Sequence, residues 1–397
     1  MTHSRRRRRA VIVGAGPAGL ATAVLLRRLN WDVVVADRDP AGPGGGNGLT
    51  LWPNALTALD VIDAGAEVRA VSEPAAGLAM RTATGDTMQF VPQEVMVGRC
   101  GGNGRALLRG DLMRPLLVRA RANLCLGSRC TKVLQEGVSV GAVLENGDVL
   151  GGDLLVGADG IGSTVRRGLF DGDDLRHLGY AVVRGVAPYA GPKLPAQLSM
   201  GCGEQFGMFP MTGGRVYWFA AFGSRGDLAS RSSIDKDWLL GRFSSWHEPV
   251  GRLISATDPN RMVVSEIVDR TPLRRWSRGA ATLVGDAAHP SAPTLGQGTC
   301  QALEDAIALT SCLAHESTDI PAALLRYEAR RRRRANALTR QAHLMGRLGQ
   351  WSHPMACWLR NRLISAVPRQ LQVNQMRQMF AHQRTDNLPA KLDQAPG

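Results

Sequence analysis

An apolar run that opens into three glycines at fixed spacing leaves few folds open to this chain. Ala10-Val-Ile-Val-Gly14 reads as a short buried strand, Gly14-Ala-Gly16-Pro-Ala18-Gly19 as a tight turn, and Leu20 to about Leu29 as an apolar helix. Asp32–Asp37, with three consecutive valines, reads as a second strand. Each position has a physical task. Gly14 permits the turn, Gly16 lets backbone N–H groups approach a pyrophosphate, and Gly19 lets helix and strand pack closely. Asp37 follows Gly19 by 18 residues and can accept hydrogen bonds from ribose hydroxyls. Ala18 and Arg38 flank these positions and complete the candidate nucleotide set. The acid favours an unphosphorylated ribose, which suits FAD or NAD better than NADP. The fingerprint alone does not choose between those two.

Composition narrows the class. The 397 residues are 44% apolar and 21% charged, which fits a soluble α/β enzyme and excludes a disordered, collagen-like or coiled-coil chain. The net charge of +14 looks like a nucleic-acid footprint. However, ten arginines lie in two runs, Arg5–Arg9 and Arg330–Arg334, and setting them aside leaves 38 basic against 34 acidic residues. The body is then near neutral, so no nucleic-acid partner is expected, and the runs read as a solvated start and a solvated helix face. Seven cysteines without a CxxC spacing predict neither a disulfide framework nor a metal site, and a reducing cytoplasm is the expected compartment. No apolar stretch reaches the ~20 residues needed to span a bilayer. Arg5–Arg9 followed by Ala10–Leu26 imitates a twin-arginine signal, but cleavage after Ala23 would remove the fingerprint, so export is rejected.

Two later segments extend the pattern. Asp153-Leu-Leu-Val-Gly157-Ala-Asp159-Gly160 is a strand ending in an Asp-Gly turn, with a helix after it. Leu283-Val-Gly285-Asp286-Ala-Ala-His289-Pro290 is another strand, continued by the loop Pro293-Thr-Leu-Gly296-Gln-Gly298-Thr299-Cys300 and a helix. Both acids stand at the carboxyl ends of predicted strands, where open α/β sheets bind ligands. An ionised Asp286 at the end of a buried strand needs hydrogen-bond donors. Capping of a turn or helix accounts for either acid taken singly.

Together the three segments resemble the motifs of the class A flavin monooxygenases, the group of p-hydroxybenzoate, salicylate and urate hydroxylases. Gly46-Asn-Gly48-Leu-Thr-Leu-Trp-Pro53-Asn54 and Arg109-Gly-Asp111-Leu112 match smaller elements, and the likeness runs over roughly residues 10–345. It implies an α/β, Rossmann-like three-layer FAD-binding domain, an interleaved antiparallel substrate domain and a C-terminal helical segment. It implies that Gly14, Gly16, Gly19 and Asp37 hold the ADP half of non-covalent FAD, and that Arg109 lies along it. Asp159 and Gly160 would sit near the pyrophosphate, Asp286 on the ribityl chain, and Pro293, Gly296, Gly298, Thr299 and Cys300 along the flavin ring. Asp37 stands where the family more often has Glu, and Cys300 where Asn is common.

The expected divisions are 1–71, 101–174 and 273–345 for the FAD-binding domain, 72–100 and 175–272 for the substrate domain, and 346–397 for C-terminal helices and tail. Val182–Val186, Phe206–Met211, Val216–Phe222 and Met262–Val268 read as strands of the substrate sheet. Phe206, Met208, Tyr217 and Phe219 are its candidate pocket residues, with ordinary core as the competing role. Trp351, Trp358, Leu359, Leu363 and Leu371 read as packing residues of the last helices, and the final dozen residues as disordered.

The resemblance implies an FAD-dependent, NAD(P)H-consuming monooxygenase that hydroxylates an aromatic or heteroaromatic small molecule through a flavin C4a-hydroperoxide, with O2 as co-substrate. It would work as a monomer or homodimer. No protein residue is singled out as catalytic, because the flavin carries the hard chemistry. The other readings are a flavin epoxidase of an isoprenoid or polyketide alkene and a flavin-binding protein without catalysis.

Overall fold

The computed structural model describes residues 6–42, 44–45, 48–136, 139–170, 175–223, 234–316 and 318–381. Arg5, Gly46 and the C-terminal tail with Pro389 and Pro396 lie outside the described residues.

The first strand, Arg9–Val13, is the hub of a six-stranded sheet. Across that sheet the order is Ser277–Arg278, Ala281–Leu283, Leu154–Gly157, Arg9–Val13, Asp32–Ala36 and Asn123–Cys125. All neighbours are parallel except the first pair. Nearly every residue of the four inner strands is buried, as expected for strands covered on both faces. The helix Pro17–Arg28 lies on one of these faces and buries Ala18 to Leu26 without a break. The helix Gly298–His315 packs beside it and is buried from Cys300 to Leu313. All three motif turns leave the sheet at strand carboxyl ends, so parallel pairing brings them to one edge.

A second sheet has seven strands, in the order Val263–Arg270, Leu175–Pro188, Arg215–Gly223, Glu204–Met211, Ala196–Met200, Gly77–Thr82 and Thr87–Pro92. Only the Ala196–Met200 and Gly77–Thr82 strands run parallel. The segment containing residues 77–92 thus adds two strands to a sheet built mainly from residues 175–270. One face is sealed by the helices Lys236–Phe243 and Val250–Ala256. In that layer Phe206, Met208, Trp218, Ala220, Phe222, Phe243 and Ile254 form a closed core. Phe206 stacks on Trp218 at 5.4 Å, and the Trp218 indole N–H donates to Thr257 Oγ1 at 2.8 Å.

The described residues close with three helices, Ile320–Gly349, Pro354–Ala366 and Arg369–Phe380. Val367-Pro368 divides the last two, since the residue before proline is biased away from the helical region. The apolar residues expected to pack here are exposed: Trp351, Trp358, Leu359, Leu363 and Leu371 all face outward. Val373 and Phe380 pack instead, and Phe380 stacks on Trp52 at 4.7 Å. No described helix is long and apolar enough to cross a membrane.

Truncating a fully enclosed aromatic leaves a cavity that costs about 3–5 kcal/mol. Phe206→Ala is expected to lower the urea midpoint correspondingly while leaving FAD uptake intact; loss of FAD with an unchanged midpoint would contradict the placement of this side chain.

Candidate nucleotide and flavin site

A cavity of about 410 Å³ opens along the carboxyl edge of the six-stranded sheet. It is lined by Gly14, Gly16, Ala18, Asp37, Arg38, Arg109, Asp159, Gly160, Asp286, Gly298 and Thr299, among others. Residues separated by more than 250 positions in the chain therefore share one wall. Gly19, Pro293, Gly296 and Cys300 are not on that lining. Gly19 stands behind it, where a Cβ would lie 1.9 Å from the Gly14 carbonyl oxygen. Gly14 has φ +106°, and a Cβ there would meet the Ala158 carbonyl oxygen at 2.3 Å. At Gly16 the nearest atom to a Cβ would be an Arg109 guanidinium nitrogen, 3.9 Å away. Two glycines thus fold the turn, and the third leaves the helix start open. The turn is tied down by Gly14 N–H donating to the Ala36 carbonyl at 2.7 Å. Asp37 accepts from Ala15 N–H at 2.6 Å and from Asp39 N–H at 2.8 Å, and it borders the cavity.

The two later acids differ. Asp159 caps the next helix: Ser163 Oγ donates to it at 2.5 Å and Thr164 N–H at 2.7 Å. Burial raises its pKa, against these bonds. Capping is thus its visible task, while its backbone and Gly160 form the cavity wall. Asp286 projects into the cavity and is exposed there. The surrounding protein raises its pKa, while His289 and Arg109 act to lower it and Asp305 to raise it. A carboxylate presented to a cleft suits a hydroxyl-bearing ligand.

A buried ionic network stands behind Asp286. Asp305 accepts from Gly285 N–H at 2.9 Å, contacts His289 Nε2 at 2.5 Å and pairs with Arg331 Nε at 2.8 Å. Burial opposes the ionisation of Asp305, but His289 and Arg331 hold its carboxyl below the usual range. Arg331 also pairs with Glu304 at 2.5 Å and donates to Gln301 Oε1 at 2.7 Å. Asn54 donates to Glu304 at 2.6 Å and to Gln297 at 3.0 Å. The expectation of a solvated face for Arg330–Arg334 fails at Arg331, which is 1% exposed. Cys300 lies against this layer; burial pushes its thiol up to about 12, so it is no nucleophile at neutral pH.

The four candidate pocket residues divide by face. Tyr217 and Phe219 point away from the outer helices, toward Gly48 and the Ala292–Leu295 loop. Phe206 and Met208 point the other way, into the core under the helices, and are corrected to structural residues. Register is the reason: Phe206 pairs with Ala220 and Met208 with Trp218, so these share one face, while Phe209 pairs with Tyr217 on the other. Phe209 stacks near Tyr217 and Phe219 at 6.0 and 6.3 Å. Arg184 lies on that inner face and donates to Ser265 Oγ at 3.1 Å. Burial raises the Tyr217 pKa, and a hydrogen bond with Arg184 partly offsets this.

Ser128, Arg129 and Cys130 also line the cavity and were not singled out in the sequence. They follow the strand Asn123–Cys125, which pairs parallel to Asp32–Ala36 and so ends at the same edge. No local motif marks them.

The cradle fits the dinucleotide that the sequence implies: the glycines that a Cβ would block are those the turn requires, and the cavity joins the helix start to Asp286. Known proteins agree. The family model described as FAD binding domain matches residues 7–342. The chain is 36% identical over 361 residues to aurachin C monooxygenase/isomerase of Stigmatella aurantiaca, covering 89% of this chain and 93% of that one. It is 31% identical to 2-heptyl-3-hydroxy-4(1H)-quinolone synthase of Pseudomonas aeruginosa, covering 90% and 94%. Its fold is similar to Klebsiella pneumoniae HpxO complexed with FAD and uric acid, with a TM-score of 0.86 and 27% identity over 94% of this chain and 96% of that one.

Two outcomes follow from the electrostatics. Asp286→Asn is expected to leave the melting temperature of the FAD-free protein nearly unchanged, because the carboxylate is exposed in the open cavity. Its FAD affinity is expected to drop about 10–100-fold, the worth of a charge-assisted hydrogen bond. Arg331→Ala strands two buried carboxylates and is expected to cost about 3–5 kcal/mol in denaturant titration; a change below ~1 kcal/mol would mean that the network is not a buried one.

Proposed function

This chain belongs to the FAD binding domain family, as an FAD-dependent monooxygenase of class A, and we propose that it hydroxylates a fused-ring nitrogen heteroaromatic of the quinolone type. The observation that carries the reading is the single cavity lined by Gly14–Ala18, Asp159–Gly160, Asp286 and Gly298–Thr299. FAD, when bound, supplies the electron and oxygen chemistry, with NAD(P)H as reductant and O2 as co-substrate. The protein supplies binding, orientation and exclusion of water.

In this reading the N–H groups at the Gly16 helix start would hold the pyrophosphate, with the helix dipole favouring its charge. Asp37 would take the ribose hydroxyls and Asp286 the ribityl chain. Arg109 adds positive charge beside both turns. Gly298 and Thr299 would present backbone N–H groups to the ring edge, at the start of a helix that favours negative charge there.

The substrate would lie against the inner face of the seven-stranded sheet. Phe209, Tyr217 and Phe219 offer flat apolar surfaces there, and Arg184 one cation. With its pKa raised by burial, Tyr217 keeps its proton near neutral pH and acts as a hydrogen-bond donor rather than a base. The relatives support the class: one is a 2-heptyl-3-hydroxy-4(1H)-quinolone synthase, and uric acid is bound in the similar fold. Both are nitrogen heteroaromatics.

The test is NAD(P)H consumption by the FAD-loaded protein across 4-quinolones with and without alkyl chains, uric acid and simple phenols, with products read by mass and NMR. A quinolone gaining one oxygen on the ring supports the reading; an alkene epoxide as the sole product replaces it, and no substrate-stimulated oxidation overturns it. Arg184→Gln is expected to raise KM about tenfold with a smaller change in kcat, as for loss of a charged hydrogen bond used in binding.

A further inference from the structure

The helix Pro354–Ala366 is turned inside out. Its outward residues Met355, Trp358, Leu359 and Leu363 are 66%, 57%, 48% and 60% exposed. At 100° per residue these four, with Arg362, fall on one face of the helix. The opposite face carries Cys357, Arg360, Asn361 and Ile364. Arg360 is 3% exposed, and its guanidinium donates to the carbonyls of Leu348 at 3.1 Å and Gly201 at 2.8 Å. Those bonds fix the rotation of the helix, so the apolar stripe cannot turn inward without stranding a buried cation.

The stretch of chain that carries the stripe is one-sided in charge. From Ala329 to Thr385 the sequence contains twelve arginines and no Asp or Glu. Arg362 sits over the Trp358 ring at 5.9 Å, and Arg347 and Arg369 are exposed at either end of the region. An apolar stripe with tryptophan and an arginine fringe is the pattern of an interfacial helix.

We propose that this face docks on an anionic lipid surface, with Met355, Trp358, Leu359 and Leu363 entering the headgroup boundary and the arginines meeting lipid phosphates. A second copy of the chain is the poorer occupant. A two-fold contact would set the same acid-free, arginine-bearing patch against itself, and like charges would face each other. Peripheral docking requires no spanning helix. It also does not depend on which ring the enzyme oxidises.

The test uses the full-length, FAD-loaded protein and co-sedimentation with vesicles of phosphatidylcholine alone or mixed equally with phosphatidylglycerol. The parent is expected to pellet with the mixed vesicles, to stay in solution with the neutral ones, and to be released by about 0.5 M salt. Trp358→Ser combined with Leu363→Ser is expected to abolish pelleting. Arg362→Gln is expected to weaken it roughly five-fold, the worth of one arginine at such a surface. Unchanged FAD content and melting temperature show that the variants are folded. Failure of the parent to pellet, equal pelleting with neutral vesicles, or unchanged pelleting of the double variant would overturn the proposal. So would light scattering that finds a dimer in the parent and a monomer in the double variant.

Discussion

Arg331 is the charge on which the site rests. Its guanidinium spans Glu304 and Asp305 in the middle of the helix Gly298–His315, and through them it reaches Asn54, Gln297, His289 and the Gly285 amide. These groups come from four separate stretches of chain, and each stretch supplies part of the cavity wall or the layer behind it. A buried ion pair adds little net stability compared with an apolar replacement, but breaking one is costly. Its use here is geometric. It holds the Asp286 turn and the Gln297–Gly298 loop at fixed places relative to one helix, so that the backbone donors at Gly298 and the carboxylate of Asp286 face the same space.

The six-stranded sheet performs the complementary task. Parallel strands end on one edge, and four of them end in turns with a glycine or an acid. Gly19 lets the first helix press on the first turn, and Gly157 performs a similar service on the strand Leu154–Gly157, where a Cβ would meet Val165 and Leu283 at 2.7–2.8 Å. Close packing at these points draws the turns together, and the cavity is the space left where the helix starts and the strands stop. The seven-stranded sheet meets the strand Gly48–Leu51 through Tyr217, whose ring rests on Gly48 at a distance that no Cβ could share.

Local signals made most of this legible. The strand, turn and helix at 9–28, the acid at 37 and the later Asp-Gly and Gly-Asp turns each declare themselves within a short stretch of chain. What the sequence hid was set by partners far away in the chain. Alternation along Val216–Phe222 separates Tyr217 from Trp218, but it does not say which residues of the neighbouring strand share a face. That depends on the pairing of Phe206 with Ala220. Arg331 sits in a run of five arginines, and nothing local distinguishes it from Arg333, which is exposed. Ser128, Arg129 and Cys130 reach the cavity only because their strand joins the edge of the sheet.

The helix Pro354–Ala366 shows the same limit in its strongest form. An apolar stripe at helical spacing predicts an inward face, because burying each such side chain is worth about 1.5–3 kcal/mol. Four exposed side chains leave a gain of that order unrealised. The alternative rotation would bury the stripe but expel Cys357 and move Arg360 off the Leu348 and Gly201 carbonyls, leaving those backbone acceptors to find other partners. One arginine with well-placed carbonyls thus outweighs the apolar pattern of its own helix, and the stripe is left for whatever lies outside the molecule. In a stretch without a single acid from Ala329 to Thr385, that outside surface is selected by sign as well as by polarity.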